Sequence, residues 1–136
     1  MAGEKEIIID GEGAILGRMA TFAAKQALMG YKVIILNCDK VIVTGNQAAL
    51  QESYLNKRQR GGTSQKGPYF SKMPDKIMRR TVRGMLPWER TTGREAFKRV
   101  WCERGMPEEY AKKEKMSFKK EIKTPHMTLG EISKYI

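Results

Sequence analysis

In the first third of the chain, two short apolar runs flank a segment whose apolar residues recur at helical spacing. Residues 6–10 and 33–36 are β-branched runs of the length expected for buried strands. Between them, small and apolar side chains recur at helical spacing as far as Met29, and Gly30 suits the left-handed position that follows a helix. A strand, a helix and a second buried strand in this order predict a βαβ unit with parallel strands.

The rest of the chain carries further helical segments and weaker strand signals. The predicted elements are a short strand at 41–43, helices at 47–57 and 74–86, a helix opened by the capping-box pattern at 92–95, a strand at 101–103 and a C-terminal helix opened by a second capping-box pattern at 128–131. Residues 57–72 predict a glycine-punctuated basic loop, and residues 107–125 predict a surface connector. We expect one domain over residues 1–136, because this length suits a single core.

The helix predicted at 74–86 separates an apolar face from a cationic one. At about 100° per residue, the apolar half carries Ile77, Met78, Val82, Met85 and Leu86. The opposite arc carries Lys76, Arg79, Arg80 and Arg83 with no interleaved acid. Like charges at i, i+4 spacing destabilise a helix, so the pattern favours an anionic partner. We expect the four cations to face outward, and replacement of Arg79 and Arg83 by alanine to leave stability unchanged.

The positive charge of the chain is concentrated in one stretch. Residues 57–104 contain 14 of the 26 Lys and Arg residues and four of the 15 acids, which is ten of the eleven formal positive charges. This concentration destabilises a compact protein by self-repulsion unless an anionic partner neutralises it. Glycines and aromatic residues such as Trp88 are interspersed with the cations, as in nucleic-acid-binding modules. RNA or DNA is favoured over a membrane surface, because no long apolar run or lipidation motif accompanies the charge.

Other kinds of site have little support in the residues. Cys38 and Cys102 lack CxxC spacing, which argues against a disulfide framework or a zinc site and favours reduced, packed thiols in a cytoplasm. His126 is the only histidine, which excludes most metal and acid–base constellations. No stretch approaches the ~18 apolar residues of a membrane span, and the acidic residues near the N-terminus are unlike a signal peptide.

The main alternative function is that of a nucleotide-dependent enzyme. Gly11, Gly13 and Gly17 lie between the first strand and the first helix, where a dinucleotide-binding fold holds pyrophosphate. Asp39 follows the second strand, about where a ribose-binding acid would stand. Two acids flank the turn and would repel phosphate, however, so we favour a structural role in which these glycines allow a tight turn and Gly17 prevents crowding between helix and strand. A DNA regulator has less support, because no helix-turn-helix signature is present.

Four motifs together identify a family. They are GAILGRMA at 13–20, LNCDKVIVTG at 36–45, RRTVRGMLP at 79–87 and GREAFKRV at 93–100. In this order and spacing they resemble the universal large-subunit ribosomal protein family numbered thirteen, over about residues 7–103. The short link before Val33 is similar to that of the archaeal branch.

The resemblance implies a three-layer α/β/α fold around a four-stranded parallel sheet, with basic RNA-binding loops and helices. It also implies binding to large-subunit (23S-type) rRNA, contacts with neighbouring ribosomal proteins, an early role in subunit assembly, a cytoplasmic location and no catalysis. No cofactor, metal, membrane or small-molecule substrate is expected. The predicted rRNA-contacting residues are Arg58, Arg60, Lys66, Tyr69, Lys72, Lys76, Arg79, Arg80, Arg83, Trp88, Arg90, Arg94, Lys98 and Arg99. Lys66 stands where arginine is expected, which removes a bidentate donor there.

Overall fold

A computed structural model describes residues 6–59, 73–111, 113–119 and 121–135. The strands are β1 (Glu6–Asp10), β2 (Lys32–Leu36), β3 (Ile42–Thr44), β4 (Val100–Cys102), β5 (Met116–Ser117) and β6 (His126–Thr128). The helices are α1 (Leu16–Leu28), α2 (Gln47–Gln59), α3 (Pro74–Gly84), α4 (Thr91–Lys98), α5 (Glu108–Ala111) and α6 (Leu129–Tyr135), and a 3-10 turn spans Cys38–Lys40. Most of the predicted basic loop lies outside the described residues, and with it Arg60, Lys66, Tyr69 and Lys72.

A four-stranded parallel sheet organises the fold, as predicted. The strand order is β4-β2-β1-β5, and β2 is central: its Ile34 pairs with Ile8 of β1 and with Trp101 of β4. The β1–α1–β2 unit is therefore confirmed. The edge strand β5 was missed, because it consists of two residues inside the segment 107–125 that showed no period.

The strand predicted at 41–43 exists, but it does not join the parallel sheet. β3 pairs antiparallel with β6, with Val43 opposite Met127, in a separate two-stranded sheet. This pairing places α6 against the 3-10 turn and α2. Leu129 and Ile132 of α6 are fully buried there and dock the predicted C-terminal helix.

The two faces of the parallel sheet are buried differently. Side chains of Ile9, Val33 and Ile35 join the main core, to which α1, α3, α4 and α6 also contribute. The opposite face carries a small cluster formed by Ile8, Ile34 and Leu36, against which Tyr110 of α5 packs. A full third layer on this face stays a prediction. The single domain also stays a prediction, and it is supported by a main core that runs without a break from β1 to α6.

Both cysteines are free and buried on the main-core side of the sheet. A hydrogen bond with Cys102, reinforced by burial, raises the pKa of the Cys38 thiol far above its ordinary value. The thiol is therefore held in its protonated, unreactive form.

The two predicted capping boxes have different outcomes. At α6 the backbone N–H of Glu131 donates to Thr128 Oγ1 at 3.2 Å, as the pattern predicts. At α4 the prediction is wrong: the helix begins at Thr91, and no side chain caps it. The reason lies in packing, because Gly93 is in the first turn of α4 and approaches the backbone of Pro87 so closely that a Cβ at Gly93 would collide with the Pro87 carbonyl oxygen.

The glycine turn before α1 is closed by hydrogen bonds within the protein. The N–H groups of residues 11–14 donate in order to Leu36 O, Asp10 Oδ1, Lys40 O and Gly11 O, at 2.8 to 3.2 Å. These four N–H groups are therefore engaged within the protein and are not free to bind a pyrophosphate. The turn is structural, as we favoured.

The expectation for Gly17 is nevertheless wrong. This residue lies within the first turn of α1, and a Cβ there would meet no atom within 4 Å. Close packing occurs instead at Gly11, where a Cβ would lie 2.7 Å from Leu36 O and 2.8 Å from Val41 Cγ2.

We therefore expect opposite effects from two matched substitutions. Gly11→Ala should lower the free energy of unfolding by about 1–3 kcal/mol, because the added methyl group meets rigid backbone. Gly17→Ala should leave it unchanged or raise it by up to about 0.5–1 kcal/mol, because alanine favours the helix. Urea denaturation of both variants measures the difference. Equal stability of the two would show that the turn tolerates a side chain at Gly11.

Candidate nucleic-acid interface

Helix α3 is held in place by its apolar face. Pro74 occupies its first turn, as predicted, and Ile77, Met78 and Val82 are at most 1% exposed. This face contacts α1, α6, β4 and the 3-10 turn. Met85, predicted on the apolar half, is 41% exposed and lies just beyond the last residue of the helix, Gly84.

The cationic arc of α3 is only partly as predicted. Lys76 and Arg80 are exposed, whereas Arg79 and Arg83 are half-buried. The expectation that all four cations face outward is therefore wrong for Arg79, whose side chain is directed at β4, whereas Arg83 remains partly exposed. Both have aromatic neighbours in other elements, which a helical wheel cannot represent.

Arg79 is tied to the free edge of the parallel sheet. Strand β4 is at the edge of the sheet, and no strand of the described residues pairs with its outer side. The Nε of Arg79 donates to the carbonyl oxygen of Val100 in β4 at 3.2 Å. Val100 is fully buried, and an unpaired buried carbonyl would be costly. Arg79 therefore satisfies the sheet edge while joining α3 to β4.

Two arginines and three aromatic side chains contact one another in a row across this side of the molecule. We term this row the arginine–aromatic ladder (Trp101, Arg79, Phe97, Trp88, Arg83). The Arg79 guanidinium lies 5.8 Å from the ring centre of Trp101 and 4.2 Å from that of Phe97. Phe97 meets Trp88 edge-on, with ring centres 5.3 Å apart, and Arg83 lies 4.2 Å over the Trp88 ring. Cation–π and edge-to-face contacts of this kind are each worth about 0.5–1.5 kcal/mol. The ladder therefore fixes two arginines and three rings relative to one another.

The connection between α3 and α4 is held tightly in its own right. The close approach of Gly93 to Pro87 brings the start of α4 against this connection. Arg94 Nε donates to Trp88 O at 2.9 Å, and the Arg90 N–H donates to Pro87 O at 2.9 Å. Trp88 thus has a fixed backbone, while the residue as a whole remains 37% exposed.

The remaining residues predicted to contact rRNA differ in how exposed their side chains are. Arg90, Arg94 and Lys98 are exposed on or beside α4. Arg99 is half-buried, and its Nη1 donates to Ala27 O at 2.9 Å, where it stabilises the C-terminal end of α1. The structure thus gives Arg99 a structural role that the sequence did not suggest. Arg58, also predicted to contact rRNA, has a side chain outside the described part of the structure.

The exposed cations on this side have few acidic partners. Among the residues that the structure describes, none of Lys76, Arg90 and Lys98 forms an ion pair with a carboxylate. The described ion pair of Lys113 with Glu6, at 3.5 Å, belongs to β1 and the segment after α5. Solvent-facing cations without counter-charges attract a polyanion with a strength that falls as salt is added.

Phe97 and Trp101 were missed by the sequence argument. Phe97 falls in the helix predicted after the capping box and Trp101 in a predicted strand, which is where they lie, but both also contact Arg79. The available signal was the recurrence of aromatic residues within a stretch dense in arginine, since the two residue types stack readily.

Two other kinds of site find no support in the described part of the chain. No group of three or more His, Cys, Asp or Glu side chains is placed to hold a metal ion there. None of the described helices is long and apolar enough to cross a membrane.

Comparisons with known proteins assign the family. The family model described as Ribosomal protein L13 matches residues 4–109, which is most of the chain. The chain belongs to this family. A protein of Methanocaldococcus jannaschii named large ribosomal subunit protein uL13 is 42% identical over 132 residues, covering 95% of this chain and 96% of the relative. Its namesake in Archaeoglobus fulgidus is 39% identical over 140 residues, covering 98% of this chain and 89% of the relative.

Membership confirms the resemblance seen in the four motifs, including its archaeal character. It also places the chain among structural proteins of the ribosome and not among enzymes. The nucleotide-dependent enzyme is thereby set aside, in agreement with the engaged donors of the glycine turn.

The role of Arg79 can be tested by its effect on stability. We expect Arg79→Ala to lower the free energy of unfolding by about 2 kcal/mol, because a charged hydrogen bond to a buried carbonyl is lost. Arg79→Lys should lose most of the same stability, since lysine lacks the planar group that stacks on Phe97. Lys76→Ala, on the exposed face of the same helix, is the control and should stay within about 0.5 kcal/mol of wild type. Equal stability of Arg79→Ala and Lys76→Ala would mean that Arg79 does not hold α3 to the sheet edge.

Proposed function

We propose that the surface formed by α3, α4 and their connection binds large-subunit rRNA. On this proposal the protein is a cytoplasmic, structural component of the large ribosomal subunit that enters during early assembly and contacts neighbouring ribosomal proteins. The observation that carries it is the row of exposed cations, Lys76, Arg80, Arg90, Arg94 and Lys98, beside the exposed ring of Trp88.

The charge of this surface supports a polyanionic partner. Each phosphate that a cation neutralises releases condensed counterions, and this entropy gain drives most sequence-independent binding to nucleic acid. A small anion would offset only one or two of the charges here, whereas an RNA strand offers a phosphate at every nucleotide. Arginine predominates among these cations, and it suits phosphate because its planar fork donates two parallel hydrogen bonds.

The rigidity of the surface supports the same function. Long cationic side chains lose rotational freedom when they bind, and pre-organisation reduces that loss. Arg83 is already stacked on Trp88, and Arg94 already donates a hydrogen bond to the Trp88 carbonyl. The buried face of α3 and the close Gly93–Pro87 contact fix the backbone beneath them. Less ordering of Arg83 and Arg94 is therefore left to occur on binding.

Two variants of α3 should separate binding from folding. Lys76→Ala combined with Arg80→Ala removes exposed charges at i, i+4 spacing, so its stability should stay within about 0.5 kcal/mol of wild type. Its rRNA affinity should fall by about 2 kcal/mol or more. Against log salt, log K for wild type should fall with a slope of about −4 or steeper, and the double variant should flatten that slope by up to about two units. Ile77→Ala should instead cost about 2–4 kcal/mol of stability, with normal affinity in the folded fraction.

A matched pair of charge deletions elsewhere serves as the control. Lys32→Ala combined with Lys134→Ala removes two exposed lysines from β2 and α6. It should change the rRNA affinity and the salt slope much less than the α3 pair does. Filter-binding titrations over a range of salt concentrations measure all the variants. Equal losses from the two pairs would show that rRNA binding reflects net charge alone and not this surface.

A further inference from the structure

A cleft at the C-terminal end of α3 contains a glycine that the fold does not require. Its lining residues are Arg80, Arg83, Gly84, Leu86 and Trp88. Leu86 is buried and Trp88 partly exposed, so the cleft has an apolar side, while the two arginines supply positive charge. It lies within the proposed rRNA-binding surface.

Gly84 is the unexplained member. It is the last residue of α3 and is exposed, and its backbone does not adopt the left-handed conformation that favours glycine. A Cβ there would meet no atom within 4 Å. Neither conformation nor packing therefore requires glycine, although glycine weakens a helix relative to alanine.

Open space at a helical glycine is not in itself a binding site. Gly17 in α1 is also helical, and a Cβ at that position would likewise meet no atom within 4 Å. What distinguishes Gly84 is its surroundings, because Arg80, Arg83 and the ring of Trp88 converge on the same cleft. Because glycine has no side chain, position 84 leaves room beside two arginines and an aromatic ring, which are groups that suit a nucleotide.

We propose that this cleft holds one sugar–phosphate unit of the rRNA, with the phosphate against Arg80 and Arg83 and the ribose against the backbone of Gly84. The proposal rests on the proposed function and identifies where the rRNA backbone comes closest to the protein. The absence of a side chain at Gly84 lets the ribose reach the helix, and Trp88 forms an apolar wall beside it.

The electrostatics of the helix end are compatible with a phosphate. The C-terminus of a helix carries roughly half a negative charge, which disfavours an anion. Two arginines line the same cleft, and their two positive charges exceed the half charge of the helix end. The cation–π contact of Arg83 with Trp88 also holds one of these charges in place.

The test is a pair of glycine-to-alanine variants of the full chain, Gly84→Ala and Gly17→Ala. Both should fold at least as stably as wild type, because both added methyl groups face open space. Gly84→Ala should bind large-subunit rRNA about tenfold more weakly, which corresponds to about 1.4 kcal/mol. Gly17→Ala, which lies outside the cleft, should bind like wild type. Chemical denaturation and filter binding give the two readouts.

A second measurement uses the wild-type protein alone. Hydroxyl-radical oxidation of the Trp88 ring should fall sharply when rRNA binds, while Tyr135, which is 51% exposed on α6, should react as before. Undiminished oxidation of Trp88 in the complex would overturn the proposal whatever the variants show.

The possible outcomes separate this proposal from the broader one. If Gly84→Ala binds rRNA normally while the Lys76 and Arg80 double variant loses affinity, the cleft proposal is wrong and rRNA binding by the surface stands. If neither variant loses affinity, both proposals fail. If Gly84→Ala binds naked rRNA normally but incorporates poorly into large subunits, the cleft meets an acidic segment of another protein, and the nucleotide assignment is overturned.

Discussion

The contact of Arg79 with the edge of the parallel sheet fixes the geometry on which the candidate interface depends. By donating to the Val100 carbonyl and stacking on Phe97, this side chain joins α3, α4 and β4 at one point. The buried side chains of Ile77 and Val82 hold the same helix from below. A helix held on two sides cannot rotate, so the side chains on its outer face keep fixed directions.

The second constraint on the structure is the cost of concentrated positive charge. Ten of eleven formal charges lie in residues 57–104, and compact folding brings them closer together. The fold offsets part of this cost by giving some arginines internal partners: Arg79 meets a sheet-edge carbonyl, and Arg99 meets the C-terminal end of α1. Lys76 and Lys98 have no acidic partner among the described residues, and their repulsion remains until an anion binds. Stability and the proposed rRNA binding thus depend on different, neighbouring cations.

The sequence predicted those features that depend on local patterns. The βαβ unit follows from β-branched runs and a helical period, and the start of α3 follows from Pro74. Features that depend on distant partners were not predictable. Arg79 and Arg80 both belong to the cationic arc, about 100° apart on the helical wheel. The contact that ties Arg79 down comes from β4, 21 residues further along the chain. Likewise, the two capping-box patterns look alike, but only at α4 does a close approach to Pro87 decide where the helix begins.

The most direct test of the proposed interface is a map of RNA–protein cross-links in native large subunits. Ultraviolet cross-linking followed by mass spectrometry identifies the peptides that touch rRNA. We predict that RNA-linked peptides come mainly from α3, α4 and their connection, with Trp88 among the cross-linked residues. Cross-links confined to the glycine turn at residues 11–17 and to α6, with none in residues 73–99, would contradict the assignment of this surface.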